Sequence, residues 1–242
     1  MADVLKKIIE YLNNDKLFEA LDLCENNKDN KIEHLISNIK GVIFFKKQKF
    51  DQAKKEFLKS IELDKSFIDP YKNLFKLNLK TQDYESAIKN GKKIIELEIQ
   101  KNPISYFNLA LAYDLNKDYK KALDIYKIVE NLNFKEKKIL FNNLAKCFLG
   151  DRNIDEAKNY YLKALEFDHN DKLIVNNLLI LFIRIGDKEN AEHFFNRAQK
   201  IDKNYIEFKL NKSEYLLYQN KIEDAINCLK DIITESKNYI AY

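Results

Sequence analysis

The sequence predicts an all-α fold, a right-handed superhelical solenoid of seven helix-turn-helix units, and three observations carry this prediction. First, alanine recurs every 33 to 35 residues over nearly the whole chain. Such a period is typical of stacked helical units. Second, apolar residues around each alanine recur with helical spacing. Third, no segment alternates polar and apolar residues in the manner of a strand. The recurring alanines are Ala20, Ala53, Ala87, Ala122, Ala157, Ala191 and Ala225.

The alanine period also divides the chain. If each alanine is counted as position 20, the repeats cover 1–33, 34–67, 68–102, 103–137, 138–171, 172–205 and 206–239. Residues 240–242 then start a possible eighth repeat, which leads us to expect a longer parent protein. Because nothing interrupts the period, we predict a single domain, 1–242.

Each repeat carries one apolar stripe for each of two helices. Positions 4, 7, 8 and 11 lie on one face of a first helix, and positions 17, 20, 24, 27 and 28 do so on a second. Small residues at positions 8 and 20 allow the helices to approach closely, and aromatic residues at 11, 17 and 24 fill the gaps. The stretch from Tyr106 to Tyr113, followed by Ala122 and Tyr126, resembles the tetratricopeptide repeat (TPR). That resemblance implies a binding surface between proteins.

The sequence departs from the TPR pattern in several places. Proline is absent from position 32 of every repeat, so we expect polar turns, such as residues 64–66 and 202–204, to end the second helices. Repeat 3 carries Phe75 where a small residue is usual and Gly91 where an aromatic residue is usual, and we expect looser packing there. Gly186 and Lys117 are placed in the tight turns between paired helices.

An asparagine series stands out from the repeat pattern. Position 6 is asparagine in five successive repeats, at Asn73, Asn108, Asn143, Asn177 and Asn211. The series resembles the asparagine ladder of the O-linked N-acetylglucosamine transferase repeats, which implies a place on the concave side. A primary amide both donates and accepts hydrogen bonds, so it can pair with the backbone of an extended peptide. The alternative is that asparagine is simply common at this position in TPRs.

Basic and apolar residues share the predicted inner face. Lys72, Lys76 and Lys80 form a stripe at intervals of four residues, and Lys146 and Arg184 occupy comparable positions. We therefore expect the groove to bind a peptide segment with acidic and apolar residues. The alternative is that the lysines are a solvated helix face. Apolar residues complete the surface: Leu5, Ile9, Phe45, Phe107, Leu111, Ile180 and Leu217.

Other function classes have little support in the sequence. Phosphate-loop, zinc-protease and C-x-x-C motifs are absent, so we expect no catalytic residues, no metal and no cofactor in this segment. The net charge of +4 argues against nucleic acid as a partner. The distant cysteines Cys24, Cys147 and Cys228 and the charged N-terminus favour a cytoplasmic protein without a membrane anchor.

These observations favour one function and leave two alternatives. The preferred interpretation is a non-catalytic interaction scaffold that holds an extended peptide in its concave groove. The second is the N-terminal recognition region of a longer enzyme of the glycosyltransferase or sulfotransferase type. A helical-repeat RNA-binding protein is the weakest of the three. End-to-end self-association is a further expectation, because apolar residues of the last predicted helix have no following helix to pack against.

Overall fold

Fourteen α-helices follow one another in the computed structural model, which describes residues 2–27 and 29–240. A short 3₁₀ turn, Asn30–Ile32, precedes the third helix, and no strand occurs in the described residues. The helices are α1 (Ala2–Asn13), α2 (Leu17–Glu25), α3 (Glu33–Lys46), α4 (Phe50–Leu63), α5 (Ile68–Lys80), α6 (Tyr84–Leu97), α7 (Pro103–Leu115), α8 (Tyr119–Glu130), α9 (Lys137–Gly150), α10 (Ile154–Leu165), α11 (Lys172–Ile185), α12 (Lys188–Asp202), α13 (Ile206–Tyr218) and α14 (Ile222–Ile240).

The helices pair as the repeat pattern predicts. Each odd-numbered helix packs on the even-numbered helix that follows it. The chain forms two compact bodies, an N-terminal body through Phe134 and a C-terminal body from Lys135. Within the C-terminal body, α11 also contacts α13, so these two first helices lie side by side.

The predicted all-α fold of helix pairs is confirmed. The first helices of the pairs begin within one residue of the predicted repeat boundaries. α14 continues to Ile240, past the boundary predicted after residue 239, while residues 241 and 242 lie outside the described part. The single domain and the eighth repeat stay predictions.

The recurring alanines lie in the core of the helix pairs. Six of the seven are completely buried, and Ala225 is 1% exposed. The large aromatic side chains at position 24 lie one turn further along the same second helices, and Phe57, Tyr126 and Tyr161 are all buried. The alanine and the ring thus belong to one buried face of each second helix.

Repeat 3 differs from repeat 2 in which helix carries the small residue and which carries the large one, and the looser packing expected there stays a prediction. In repeat 2, a Cβ atom added to Gly41 would lie 2.5 Å from two carbons of the Phe57 ring. In repeat 3 the sizes are exchanged, since a Cβ atom on Gly91 would lie 3.2 Å from the Phe75 ring. Phe75 and Gly91 are both buried.

The turn within each helix pair contains one left-handed residue. This residue stands at position 15 of every repeat, two residues before the second helix begins, and only in repeat 6 is it glycine. The predicted placement of Lys117 and Gly186 in these turns is confirmed. The seven residues, with φ in degrees, are Asp15 (55), Gln48 (58), Gln82 (59), Lys117 (61), Arg152 (64), Gly186 (77) and Asn220 (62).

Polar turns do end second helices in place of proline, as predicted. After α4, the Asp64 carboxylate accepts hydrogen bonds from the Ser66 hydroxyl at 2.6 Å and the Ser66 amide at 2.9 Å. These bonds, the hydroxyl's first, hold the pKa of Asp64 below its ordinary value. Asp202 accepts from the Asn204 amide at 3.0 Å in the same way. An aspartate side chain therefore holds each of these turns.

Candidate functional site

All ten predicted site residues lie on first helices, the odd-numbered members of the pairs. They are Lys72, Asn73, Lys76 and Lys80 on α5 and Asn108 on α7 in the N-terminal body, and Asn143 and Lys146 on α9, Asn177 and Arg184 on α11, and Asn211 on α13 in the C-terminal body.

Four of these residues come together in a depression of about 250 Å³ in the C-terminal body. We call it the α9–α13 groove. Apolar side chains form part of its lining, and Glu207 adds one carboxylate. The lining residues are Lys146, Leu149, Tyr161, Leu173, Asn176, Asn177, Ile180, Arg184, Glu207 and Asn211.

The groove combines charge with apolar surface. Lys146 and Arg184 are both exposed, and Arg184 forms no ion pair with any residue that the structure describes. Leu149 and Ile180 are half-buried, so apolar area remains available beside the cations. Two cations against one carboxylate give the groove a positive balance. Carboxylate groups and apolar side chains are the chemical groups that such a lining complements.

Three of the predicted asparagines reach back to the preceding repeat. The donor is Nδ2 and the acceptor is Oδ1 of an asparagine 35 residues earlier, which stands at position 5 of that repeat. The three bonds are Asn73 to Asn38 at 2.9 Å, Asn177 to Asn142 at 3.0 Å, and Asn211 to Asn176 at 3.2 Å.

The acceptor asparagines are buried. Asn38 and Asn142 are each 8% exposed, and Asn176 is 2% exposed. Sequence reasoning missed all three as members of the site. The available signal was the two pairs of adjacent asparagines, Asn142-Asn143 and Asn176-Asn177. Consecutive residues of a helix point in different directions, so the two members of a pair face different neighbours.

The remaining predicted residues do not join this groove. Asn143 is buried and is not part of the lining. Lys72 is half-buried on α5, whereas Lys76 and Lys80 are exposed. A larger depression of the N-terminal body, about 600 Å³, lies along α6 beside Tyr71 and contains none of the predicted residues.

Two other features of the described residues bear on chemistry. They contain no group of three or more His, Cys, Asp or Glu side chains that could hold a metal ion. The helices that they form are also too short or too polar to cross a bilayer.

Comparisons with known proteins agree with this architecture. A TPR protein from Parabacteroides merdae superposes with a TM-score of 0.74 at 14% identity, covering 96% of this chain and 92% of that one. YrrB, described as a TPR protein with an unusual peptide-binding site, superposes with a TM-score of 0.60 at 18% identity, covering 79% of this chain and 95% of YrrB.

One curated relative is considerably longer than this chain. The protein O-mannosyl-transferase TMTC3 of Homo sapiens is 24% identical over 202 residues, which is 80% of this chain and 22% of TMTC3. This chain spans between 13% and 22% of the length of the curated relatives it matches.

The family pattern covers most of the chain. The pattern of the coatomer epsilon subunit matches residues 3–215, which extends from α1 through most of α13. The helix pairs are TPRs, and the chain belongs to the coatomer epsilon subunit family.

Proposed function

We propose that this TPR scaffold binds an extended segment of another protein in the α9–α13 groove, without catalysis by the chain itself. The observation that carries the proposal is the convergence of Lys146, Asn177, Arg184 and Asn211 in one depression. All four are residues whose chemistry and repeat position predict a place in the binding surface.

The spacing of the groove suits an extended chain. Contacting helices lie about 8–10 Å apart, and α11 contacts α13. An extended peptide rises about 3.3 Å per residue, so Asn177 and Asn211 can pair with backbone groups roughly three residues apart. Each such hydrogen bond contributes about 0.5–1.5 kcal/mol.

The charges suggest the composition of the segment. An aspartate or glutamate side chain can pair with Arg184, whose planar guanidinium binds a carboxylate through two parallel hydrogen bonds. An apolar neighbour in the segment covers Leu149 and Ile180. Glu207 disfavours an acidic residue at its own end, so we expect acidic residues only opposite Lys146 and Arg184.

The family and cysteine chemistry support a protein partner. The family name denotes a subunit of a larger assembly, and the name of YrrB refers to peptide binding. Cys24, Cys147 and Cys228 form no disulfide within the described residues, which suits a reducing compartment such as the cytoplasm. Neither nucleic acid nor a membrane enters this proposal. End-to-end self-association is a secondary proposal, based on the exposed side chains of Ile226 and Ile233.

A second candidate function rests on TMTC3. Because a transferase contains a similar segment within a longer chain, the same groove could recruit the substrate of a catalytic domain elsewhere in a longer parent protein. In that case this segment recognises a polypeptide and leaves the chemistry to the other domain.

Peptide selection tests the proposed function. A random dodecapeptide library on phage is selected against the 242-residue chain, and the strongest peptide is labelled with fluorescein for anisotropy titration. We expect an acidic residue near an apolar one in the selected sequences. Arg184→Glu should weaken binding at least tenfold, which corresponds to about 1.4 kcal/mol.

A matched variant controls for net charge. Lys200→Glu makes the same change of charge on α12 at an exposed position outside the groove, and it should retain the wild-type dissociation constant. Equal losses in the two variants would show that binding is non-specific. A failure to select any peptide would contradict the proposed function.

A further inference from the structure

We propose that the buried asparagines Asn38, Asn142 and Asn176 are positioning residues, which hold the amides of Asn73, Asn177 and Asn211 in one orientation. In that orientation the amide nitrogen faces the preceding repeat, and the oxygen is left for a ligand. The inference deepens the proposed function because two of the three oriented amides, Asn177 and Asn211, line the α9–α13 groove.

The repeat-6 asparagine shows how the orientation is fixed. Nδ2 of Asn176 donates to the backbone carbonyl of Lys172 at 2.7 Å, and a carbonyl can only accept. The oxygen end of the Asn176 amide must therefore point the other way, where it accepts from Nδ2 of Asn211 at 3.2 Å. Nδ2 of Asn211 also approaches the Asn176 carbonyl oxygen at 3.4 Å.

This arrangement leaves a defined set of atoms for a ligand. An asparagine amide has two N–H donors and one oxygen acceptor. Nδ2 of Asn211 donates toward both oxygens of Asn176, and Oδ1 of Asn211 has no hydrogen-bond partner among the described residues. In Asn177, likewise, Nδ2 donates a hydrogen bond to Asn142, and Oδ1 has no hydrogen-bond partner among the described residues. Successive oriented amides thus offer their oxygens to peptide N–H groups with the same polarity.

Repeat 4 supplies an internal contrast. Asn108 stands at the same position as Asn73 and Asn177, but position 5 of the preceding repeat is Lys72. A lysine ammonium has donors and no acceptor, so it cannot receive a bond from an amide nitrogen. No hydrogen bond of the Asn108 side chain is found within the described part of the chain. Its amide should rotate while those of Asn73, Asn177 and Asn211 are held.

The first experiment needs no ligand. In the ¹⁵N-labelled chain, side-chain amide relaxation should show Asn73, Asn177 and Asn211 as ordered and Asn108 as mobile. Asn142→Leu removes the acceptor and should make the Asn177 amide as mobile as that of Asn108. Asn142→Asp restores an oxygen acceptor, and Lys138 and Lys146, each four residues away, favour the added charge. In that variant the Asn177 amide should be ordered again. An Asn177 amide that stays ordered in the leucine variant would overturn the inference.

The second experiment measures recognition. The labelled dodecapeptide selected by phage display is titrated into the Asn142→Leu and Asn142→Asp variants. We expect a threefold to tenfold loss of affinity with leucine and recovery to within twofold with aspartate. Thermal melting followed by circular dichroism verifies that both variants are folded. Loss of amide order without loss of affinity would refute the positioning role and leave the proposed function intact. If the wild-type chain selects no peptide, the proposed function fails, and the relaxation data alone decide the inference.

Discussion

Substitutions at the left-handed turn residues should change stability with opposite signs in two adjacent repeats. Arg152 and Gly186 both stand at position 15, with φ of 64° and 77°. Arg152 is exposed and close to the end of α9. Gly186 follows α11, and no atom lies within 4 Å of a Cβ added there. Arg152→Gly and Gly186→Ala therefore change the conformational free energy of the backbone without changing side-chain packing.

The magnitude follows from two opposing contributions. A residue other than glycine in the left-handed region costs roughly 1–2 kcal/mol. Glycine, in turn, gives the unfolded chain more freedom, which costs about 0.4–1 kcal/mol. Arg152→Gly should therefore raise the free energy of unfolding by about 0.5–1 kcal/mol. Gly186→Ala should lower it by about the same amount.

Urea unfolding followed by circular dichroism at 222 nm measures both effects. The midpoints should move in opposite directions while the dependence on urea stays constant. Both sites belong to the C-terminal body, so each variant reports on the same part of the chain. Affinity for the selected dodecapeptide should not change, since neither residue lines the groove. Shifts of the same sign in the two variants would refute the backbone explanation.

Three further changes test packing, capping and thiol burial. Gly41→Ala should destabilise the chain by about 1–3 kcal/mol in thermal melting, because its Cβ would meet the Phe57 ring, and adding Phe57→Leu should recover part of the loss. Asp171→Ala should cost about 1–2 kcal/mol, because that carboxylate caps α11. Burial of Asp171 opposes its ionisation, but hydrogen bonds from Lys138 and from backbone amides outweigh it, so its pKa lies below the ordinary value. The difference between wild type and variant should therefore shrink as the pH falls below about 4 in acid titrations. Burial raises the pKa of Cys24 to about 12, so a disulfide reagent at pH 8 should label it only after unfolding, and rapid labelling of the native chain would contradict this.

The sequence was sufficient for the fold because the period repeats the same information seven times. Each alanine at position 20 marks one helix pair, and the helix starts follow from that mark. Phe75 and Gly91 show what single positions do not reveal. The Phe75 ring lies beside Gly91 across the two helices of repeat 3, and this contact is found only when both helices are considered together.

The site was only partly predictable. Lys146, Asn177, Arg184 and Asn211 were found from residue type and phase. Their convergence depends on how far α9, α11 and α13 approach, and a period does not specify that distance. Asn143 was expected to face a ligand, but the structure buries it. The burial of one member of the series shows that identical positions do not have identical surroundings in successive repeats.

The most direct test of the central claim is a map of where the peptide binds. The ¹⁵N-labelled chain is titrated with the unlabelled dodecapeptide, and the signals of side-chain amides and arginine Nε–H groups are followed. We predict the largest shifts at Asn177, Asn211 and Arg184, with Asn90, which lines the α6 depression, unchanged. Shifts confined to the depression along α6, with the groove signals unmoved, would contradict the account.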